Sequence, residues 1–256
     1  TNAQAGDLNV SNSADVITAG SNSHAIRLQS VGGGGGAISA LTNEMRMGSL
    51  NATGNLSGGS ISLRNSGSVA TSGDTSVGVN VLSLGGGGGT VFGGASKKVQ
   101  MGTVTESAVV ADAGSIDVQQ TGALIRTEGD GSSGLALMSN GGGGGFIANV
   151  RGDLNVGSQI SSGSARGGAI SAVNSSRIST AGDYSPGLIL LSTGGGGAIT
   201  GSVGSTDQLV NVGSRGKAIS DSGAISLNNT ADITTDGIAS PALLGQSIAG
   251  AGAYIP

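Results

Sequence analysis

Apolar residues along this chain come in short bursts at every second position, as in Ile61-Ser62-Leu63 and Ile225-Ser226-Leu227. Alternation with period two puts the apolar side chains on one face of a strand, whereas a helix would repeat near 3.6. The bursts are short and end in Gly, Asn, Asp or Ser, the residues of tight turns. No stretch pairs a helical period with a capping residue. The pattern predicts an all-β chain of many short strands, none able to bury a core alone.

The bursts recur as a unit. Glycine runs occupy residues 32–36, 85–89, 141–145 and 194–197, led by Gly32, Gly85, Gly141 and Gly194, with a degraded copy at Ala249-Gly250-Ala251-Gly252. A serine precedes each run: Ser30, Ser83, Ser139, Ser192 and Ser247. Twelve residues before each serine stands a threonine: Thr18, Thr71, Thr127, Thr180 and Thr235. Two residues before each threonine is an aliphatic: Val16, Val69, Ile125, Ile178 and Ile233. Six residues before it, four copies carry Asn12, Asn65, Asn174 and Asn229, while copy three has an extra residue and Thr121 at that offset. The common pattern is I-x-L-x-N-x-x-x-I-x-T-x-G-x-x-S-x-G-L-x-L-x-S-x-G-G-G-G-G. It divides the chain into repeats at about 1–52, 53–107, 108–161, 162–216 and 217–256. A second motif lies between the runs: Met45-x-Met47-Gly48-Ser49, Val99-x-Met101-Gly102-Thr103, Leu154-x-Val156-Gly157-Ser158 and Val210-x-Val212-Gly213-Ser214.

Repeats too small for their own core bury apolar surface by stacking on their neighbours. The expected fold is therefore a parallel β-helix, a single β-solenoid domain of five repeats with roughly six strands each. Two three-sided rungs of about 27 residues per repeat, or three of about 18, both fit this strand count, and both predict a rod several nanometres long at about 4.8 Å per rung. The Val16-to-Ile233 series is expected to form an inward aliphatic ladder. The Asn12, Asn65, Asn174 and Asn229 series is expected to form an amide ladder in a turn. With two rungs per repeat, Asn would meet Asn only at every second rung, so another group would have to bridge. The glycine runs read as ordered segments packed where a Cβ would clash; flexible linker is the alternative.

Composition narrows the role. Glycine accounts for 52 of the 256 residues, charged residues are 10%, and 36% are hydrophobic. Low charge with regular aliphatic positions argues against disorder, which the glycine and serine content alone would suggest. There is no cysteine, hence no disulfide or thiolate site. A net charge of −4 lacks the basic patch expected for nucleic acid. No apolar run is long enough for a transmembrane helix. Thr1 in place of an initiator Met, and no stretch that reads as a signal peptide, give the expectation of a processed chain or a fragment.

Candidate chemistry is thin. The single histidine, His24, shares its repeat position with Val77, Ser133, Pro186 and Pro241 and reads as a solvated turn residue, which leaves no base for a hydrolase triad. Asp74, Asp130 and Asp183 share a position after Gly and read as isolated Asx turns; calcium β-rolls need Asp at nine-residue spacing within the glycine motif. No Gly-Lys-Ser/Thr completes a phosphate loop. Arg151-Gly152-Asp153 occurs in one repeat only, and Lys97-Lys98 reads as a solvated loop. No catalytic residue, cofactor or metal site is predicted, and the chain is read as not an enzyme. Polysaccharide-active β-helices cluster carboxylates and basic residues on one face, and here they are scattered.

The stretches Thr180 to Gly197 and Thr71 to Gly89, with the junction Gln29-Ser30-Val31-Gly32, resemble the glycine-rich repeats of giant proteobacterial autotransporter passengers and related surface proteins. The resemblance covers nearly the whole chain. It implies a right-handed parallel β-helix on the bacterial surface, secreted, with adhesion or matrix building as its role, and it carries no catalytic residues. The chain lacks the C-terminal membrane barrel of that family. Three roles follow as expectations. The first is a structural or adhesive surface segment, with adjacent repeats of a longer chain and a host or matrix surface as partners. The second is a subunit stacking end to end with itself through uncapped edges. The third is a binder of ice or crystalline polysaccharide along a flat face lined by Thr71, Thr127 and Thr180. Neither nucleic acid nor membrane insertion is expected.

Overall fold

The computed structural model describes residues 2–39, 44–92, 98–148, 150, 152–200 and 209–255. Among them there is no helix. The first coil has six strands: β1 (Leu8–Asn12), β2 (Val16–Thr18), β3 (Ile26–Val31), β4 (Gly35–Ser39), β5 (Met45–Met47) and β6 (Gly54–Asn55). Each starts a parallel sheet in which its equivalents from later repeats follow in order; we number the six sheets 1 to 6 after these strands. The molecule is a parallel β-solenoid.

Pairing corrects the expected rung count. Leu8 lies directly beside Ile61, Ile61 beside Ile116, Ile116 beside Ile170, and Ile170 beside Ile225. Each step is a whole repeat, so one repeat makes one coil, not two or three. At a strand spacing of about 4.8 Å, the coils rise only about 2 nm, so the body is squat rather than a long rod. A period-two pattern cannot separate one wide coil from two narrow ones, because both present the same alternation.

The wide coil closes because the chain folds back through its own interior. Strands of sheet 3 carry apolar residues on both faces. Val79, Val81, Leu135, Leu137, Leu188 and Leu190 point into a core with Ile61, Leu63, Ile116, Ile125, Ile170 and Ile178 from sheets 1 and 2. Their neighbours Leu82, Leu84, Met138, Ile189 and Leu191 point the other way, against Phe92, Phe146 and Ile199 of sheet 4. The far face of sheet 4, through Val91 and Ile147, packs on Val99, Met101, Leu154 and Val156 of sheet 5. Ala52, Leu56, Val109, Ala111, Ile160 and Ala165 line sheet 6 and the segment after it. Two three-sheet lobes therefore share a dry wall of sheets 3 and 4. In the second, third and fourth coils both walls are buried on both faces, the usual state of a parallel sheet.

The aliphatic series pairs in register: Val16 with Val69, Val69 with Ile125, Ile125 with Ile178, and Ile178 with Ile233. Val69, Ile125 and Ile178 are buried in the first lobe. Burying each contributes about 1.5–3 kcal/mol. We predict that Ile178→Ala lowers stability by about 2–5 kcal/mol, since a cavity opens between two coils that cannot collapse onto it. Ile17→Ala, at a site 76% exposed on the outer face of β2, should stay within about 0.5 kcal/mol of the parent. Urea unfolding monitored by far-UV circular dichroism measures both.

Candidate functional site

The glycine run joins sheet 3 to sheet 4 and lies at the centre of the coil. Residues 85–89, 141–145 and 194–197 are buried. The reason for glycine is explicit at Gly87. Its φ of +97° lies in the region that a side chain disfavours, and a Cβ there would stand 2.4 Å from the Cα of Gly48. Gly143 meets Gly102 in the same way at 2.6 Å, and Gly196 meets Gly157 at 2.7 Å. The glycine of the second motif and the middle of the glycine run thus face each other across the second lobe. The two sequence motifs are two sides of one contact.

Hydrogen bonds hold this crossing. Gly86 N–H donates to the Leu56 carbonyl at 3.0 Å, Gly142 N–H to that of Ala111 at 2.9 Å, and Gly195 N–H to that of Ala165 at 2.8 Å. The Gly86 carbonyl accepts from Thr103 Oγ1 at 2.8 Å, and that of Gly33 from Ser49 Oγ at 2.7 Å. Buried backbone groups need such partners, and the Ser/Thr that ends the second motif supplies one to the run.

The serine before each run does a related job. Ser83 Oγ donates to the Gly59 carbonyl of its own coil at 2.8 Å and accepts from Gly114 N–H of the next coil at 2.8 Å. Ser30, Ser139 and Ser192 repeat both bonds with their own equivalents. One hydroxyl therefore ties sheet 3 to the entry of sheet 1 and also ties successive coils together.

The threonine, asparagine and aspartate series fall as follows. Thr18, Thr71, Thr127, Thr180 and Thr235 align in sheet 2, but Thr71, Thr127 and Thr180 are buried. Thr71 Oγ1 donates to the Ser76 carbonyl at 2.6 Å, and Thr180 Oγ1 to that of Ser185 at 2.6 Å. These threonines form no exposed flat face, which removes the ice-binding geometry. They point inward because they share the phase of Val69, Ile125 and Ile178 two residues earlier. In the amide ladder, Asn12 Nδ2 donates to Asn65 Oδ1 at 2.6 Å, Asn65 to Gln120 Oε1 at 2.9 Å, and Asn174 to Asn229 Oδ1 at 2.7 Å. Where adjacent coils both carry Asn, the two amides meet directly, with no bridging group, because one repeat is one coil. Gln120, not Thr121, holds the third place in register. Gln120 Nε2 reaches Ser176 Oγ at 3.2 Å, continuing the column.

The aspartates are not isolated Asx turns. Asp74 Oδ1 accepts from Asp130 N–H at 3.1 Å, Asp130 Oδ1 from Asp183 N–H at 2.9 Å, and Asp183 Oδ1 from Ile238 N–H at 2.8 Å. Each carboxylate caps the coil after its own. Among the described residues no group of His, Cys, Asp or Glu is arranged to hold a metal ion. Arg151 and Lys97 lie outside the described residues. Asp153 sits in sheet 5, where its Oδ1 accepts Leu209 N–H at 3.2 Å, and Lys98 is half-buried in the same sheet.

His24 is the residue most different from its sequence reading. It is no solvated turn. Its ring lies 5.2 Å from that of Phe92 and 5.1 Å from that of Phe146, and Nδ1 accepts Val77 N–H at 2.9 Å. Burial, with a smaller push from the positive charge of Arg27, lowers its pKa from 6.5 to about 3, so the ring is neutral at pH 7. The variety at this position signalled an apolar site, not a wet one, since Val77 is fully buried against the same wall.

Three predictions test these glycine and serine positions. Gly87→Ala should destabilise by more than about 3 kcal/mol, because a backbone clash and a disfavoured φ coincide at a buried site. Gly245→Ala, where nothing lies within 4 Å of the added carbon, should be neutral or stabilising. Ser83→Ala leaves the buried Gly59 carbonyl and the part-buried Gly114 N–H without this partner and should cost about 1–3 kcal/mol. Chemical denaturation of the purified variants reads all three.

No family model matches the chain, and no curated protein or solved structure does either.

Proposed function

We propose that this chain is an extracellular structural or adhesive β-solenoid segment of a bacterial surface protein. The observation that carries the reading is the in-register stack of five coils. The aliphatic, Thr, Asn, Ser and Gly positions described above serve coil closure or coil-to-coil bonding, and among the described residues no group of His, Cys, Asp or Glu is arranged to hold a metal ion. A scaffold of this kind works mechanically, through parallel backbone ladders reinforced by Asn, Ser and Asp columns. Five coils are only about 2 nm tall, so reach would come from further coils of the same pattern or from stacking.

The end coils favour stacking as a second reading, in which the chain is the subunit of an extracellular filament. Leu8, Val10, Val16 and Leu28 in the first coil, and Ile225, Leu227 and Ile233 in the last, are only partly buried although their equivalents inside are covered. The strand edges of the first and last described coils would be covered either by further repeats of the same pattern or by another copy.

Electron microscopy of the purified chain over a concentration series separates the two readings. Short separate bodies at every concentration are expected for a segment, whereas filaments that lengthen with concentration establish the second reading. Retention of chain-coated beads on host-matrix and bacterial surfaces, lost after unfolding, is expected of an adhesive segment. Retention equal to that of beads coated with an unrelated protein would remove adhesion from the proposal.

A further inference from the structure

The half-buried histidine has no part in coil closure elsewhere in the molecule, because Val77, Ser133, Pro186 and Pro241 occupy its place in the other four repeats. It nevertheless joins three coils. The side chain starts in the first coil, takes a backbone N–H from Val77 in the second, and packs on Phe92 of the second and Phe146 of the third. Its other nitrogen, Nε2, is buried without a hydrogen-bond partner. The contact fits only the neutral ring. A proton on Nδ1 would turn the acceptor of the Val77 bond into a donor facing a donor. A charge there would also be buried with no counter-ion among the described residues. The groups facing the ring are Arg27, which is itself positive, the Val77 backbone, and the Phe92 and Phe146 rings of sheet 4. The two phenyl rings attract a cation, but that attraction is weaker than the loss of hydration of a buried charge.

We infer that His24 is an acid-sensitive latch that holds the first coil on the stack and releases it when the ring is protonated. The sign follows from the bond: a coil that is open lets the ring take a proton at its ordinary pKa of 6.5, while the closed coil resists down to about 3. Closure is complete above pH 6.5 and weakens as pH falls through that window. Well inside the window the opening constant rises about tenfold for each pH unit.

Hydrogen exchange read by mass spectrometry, corrected for the intrinsic pH dependence of exchange, tests this on the whole chain. Peptides covering Val77 and the partners of β1 and β2 in the second coil should lose protection between pH 7 and pH 4. Peptides of sheets 1 to 3 in the third and fourth coils should not. In His24→Val, which installs the residue of the second repeat, the pH-dependent part should vanish while carboxylate effects common to both proteins remain. An equal loss of protection in His24→Val would overturn the inference. So would an imidazole titration near pH 6.5 in the NMR spectrum of the folded parent, a measurement that decides the matter even if the variant fails to fold.

Discussion

Backbone passing through the middle of the coil is the constraint on which the rest of this structure depends. A narrow β-helix encloses one core and leaves every sheet with an outer face. Here the chain turns inward at the glycine run, and sheets 3 and 4 become interior walls with apolar residues on both sides. The turn works only if two backbones can touch, at Gly87 against Gly48 and at Gly143 against Gly102. A single Cβ on Gly87 or Gly143 would collide with the facing backbone of the second motif. The second motif exists because the first needs a facing surface of equal thinness.

Burying so much backbone raises a second demand, which the polar columns meet. Glycine loses more conformational freedom than any other residue on ordering, so a run of five needs dense hydrogen bonding to remain in place. The carbonyl and N–H groups of the crossing are met by Thr103, Ser49, Leu56 and Ala111, and the serine before each run spans two coils with one hydroxyl. The Asn and Asp columns serve the outer corners in the same currency of coil-to-coil bonds. The recurring Ser, Thr, Asn and Asp positions of the repeat are thus taken up by hydrogen bonds within and between coils.

His24 shows how a solenoid can carry one exceptional contact without disturbing the pattern. The wall between sheets 3 and 4 is mostly apolar in its middle coils, with Asn80 and Asn140 buried in it, and the first coil brings Arg27, Gln29 and His24 to it. That end of the molecule is held by a bond that acid destroys, while Val77, Pro186 and Pro241 place no titrating group at the corresponding point of other coils. Stability along the axis is therefore expected to be uneven, as nearest-neighbour stacks allow.

By itself the sequence determined the class of fold, the number of repeats, the strand count per repeat and the inward phase of Val69, Ile125 and Ile178, because period-two alternation and fixed offsets are local properties. The glycine runs were legible as places that exclude a side chain, since linker glycines have no reason to recur at one offset with apolar neighbours. Only the tertiary structure decided that one repeat is one coil, because alternation reads identically for a wide coil and two narrow ones. That decision in turn placed Asn12 on Asn65, moved Gln120 into the ladder ahead of Thr121, and stacked Asp74, Asp130 and Asp183. It also packed His24 against the rings of Phe92 and Phe146, 68 and 122 positions away. Contacts at such separations depend on which sheet lies behind which, and that is a property of the closed coil and not of any segment of the chain.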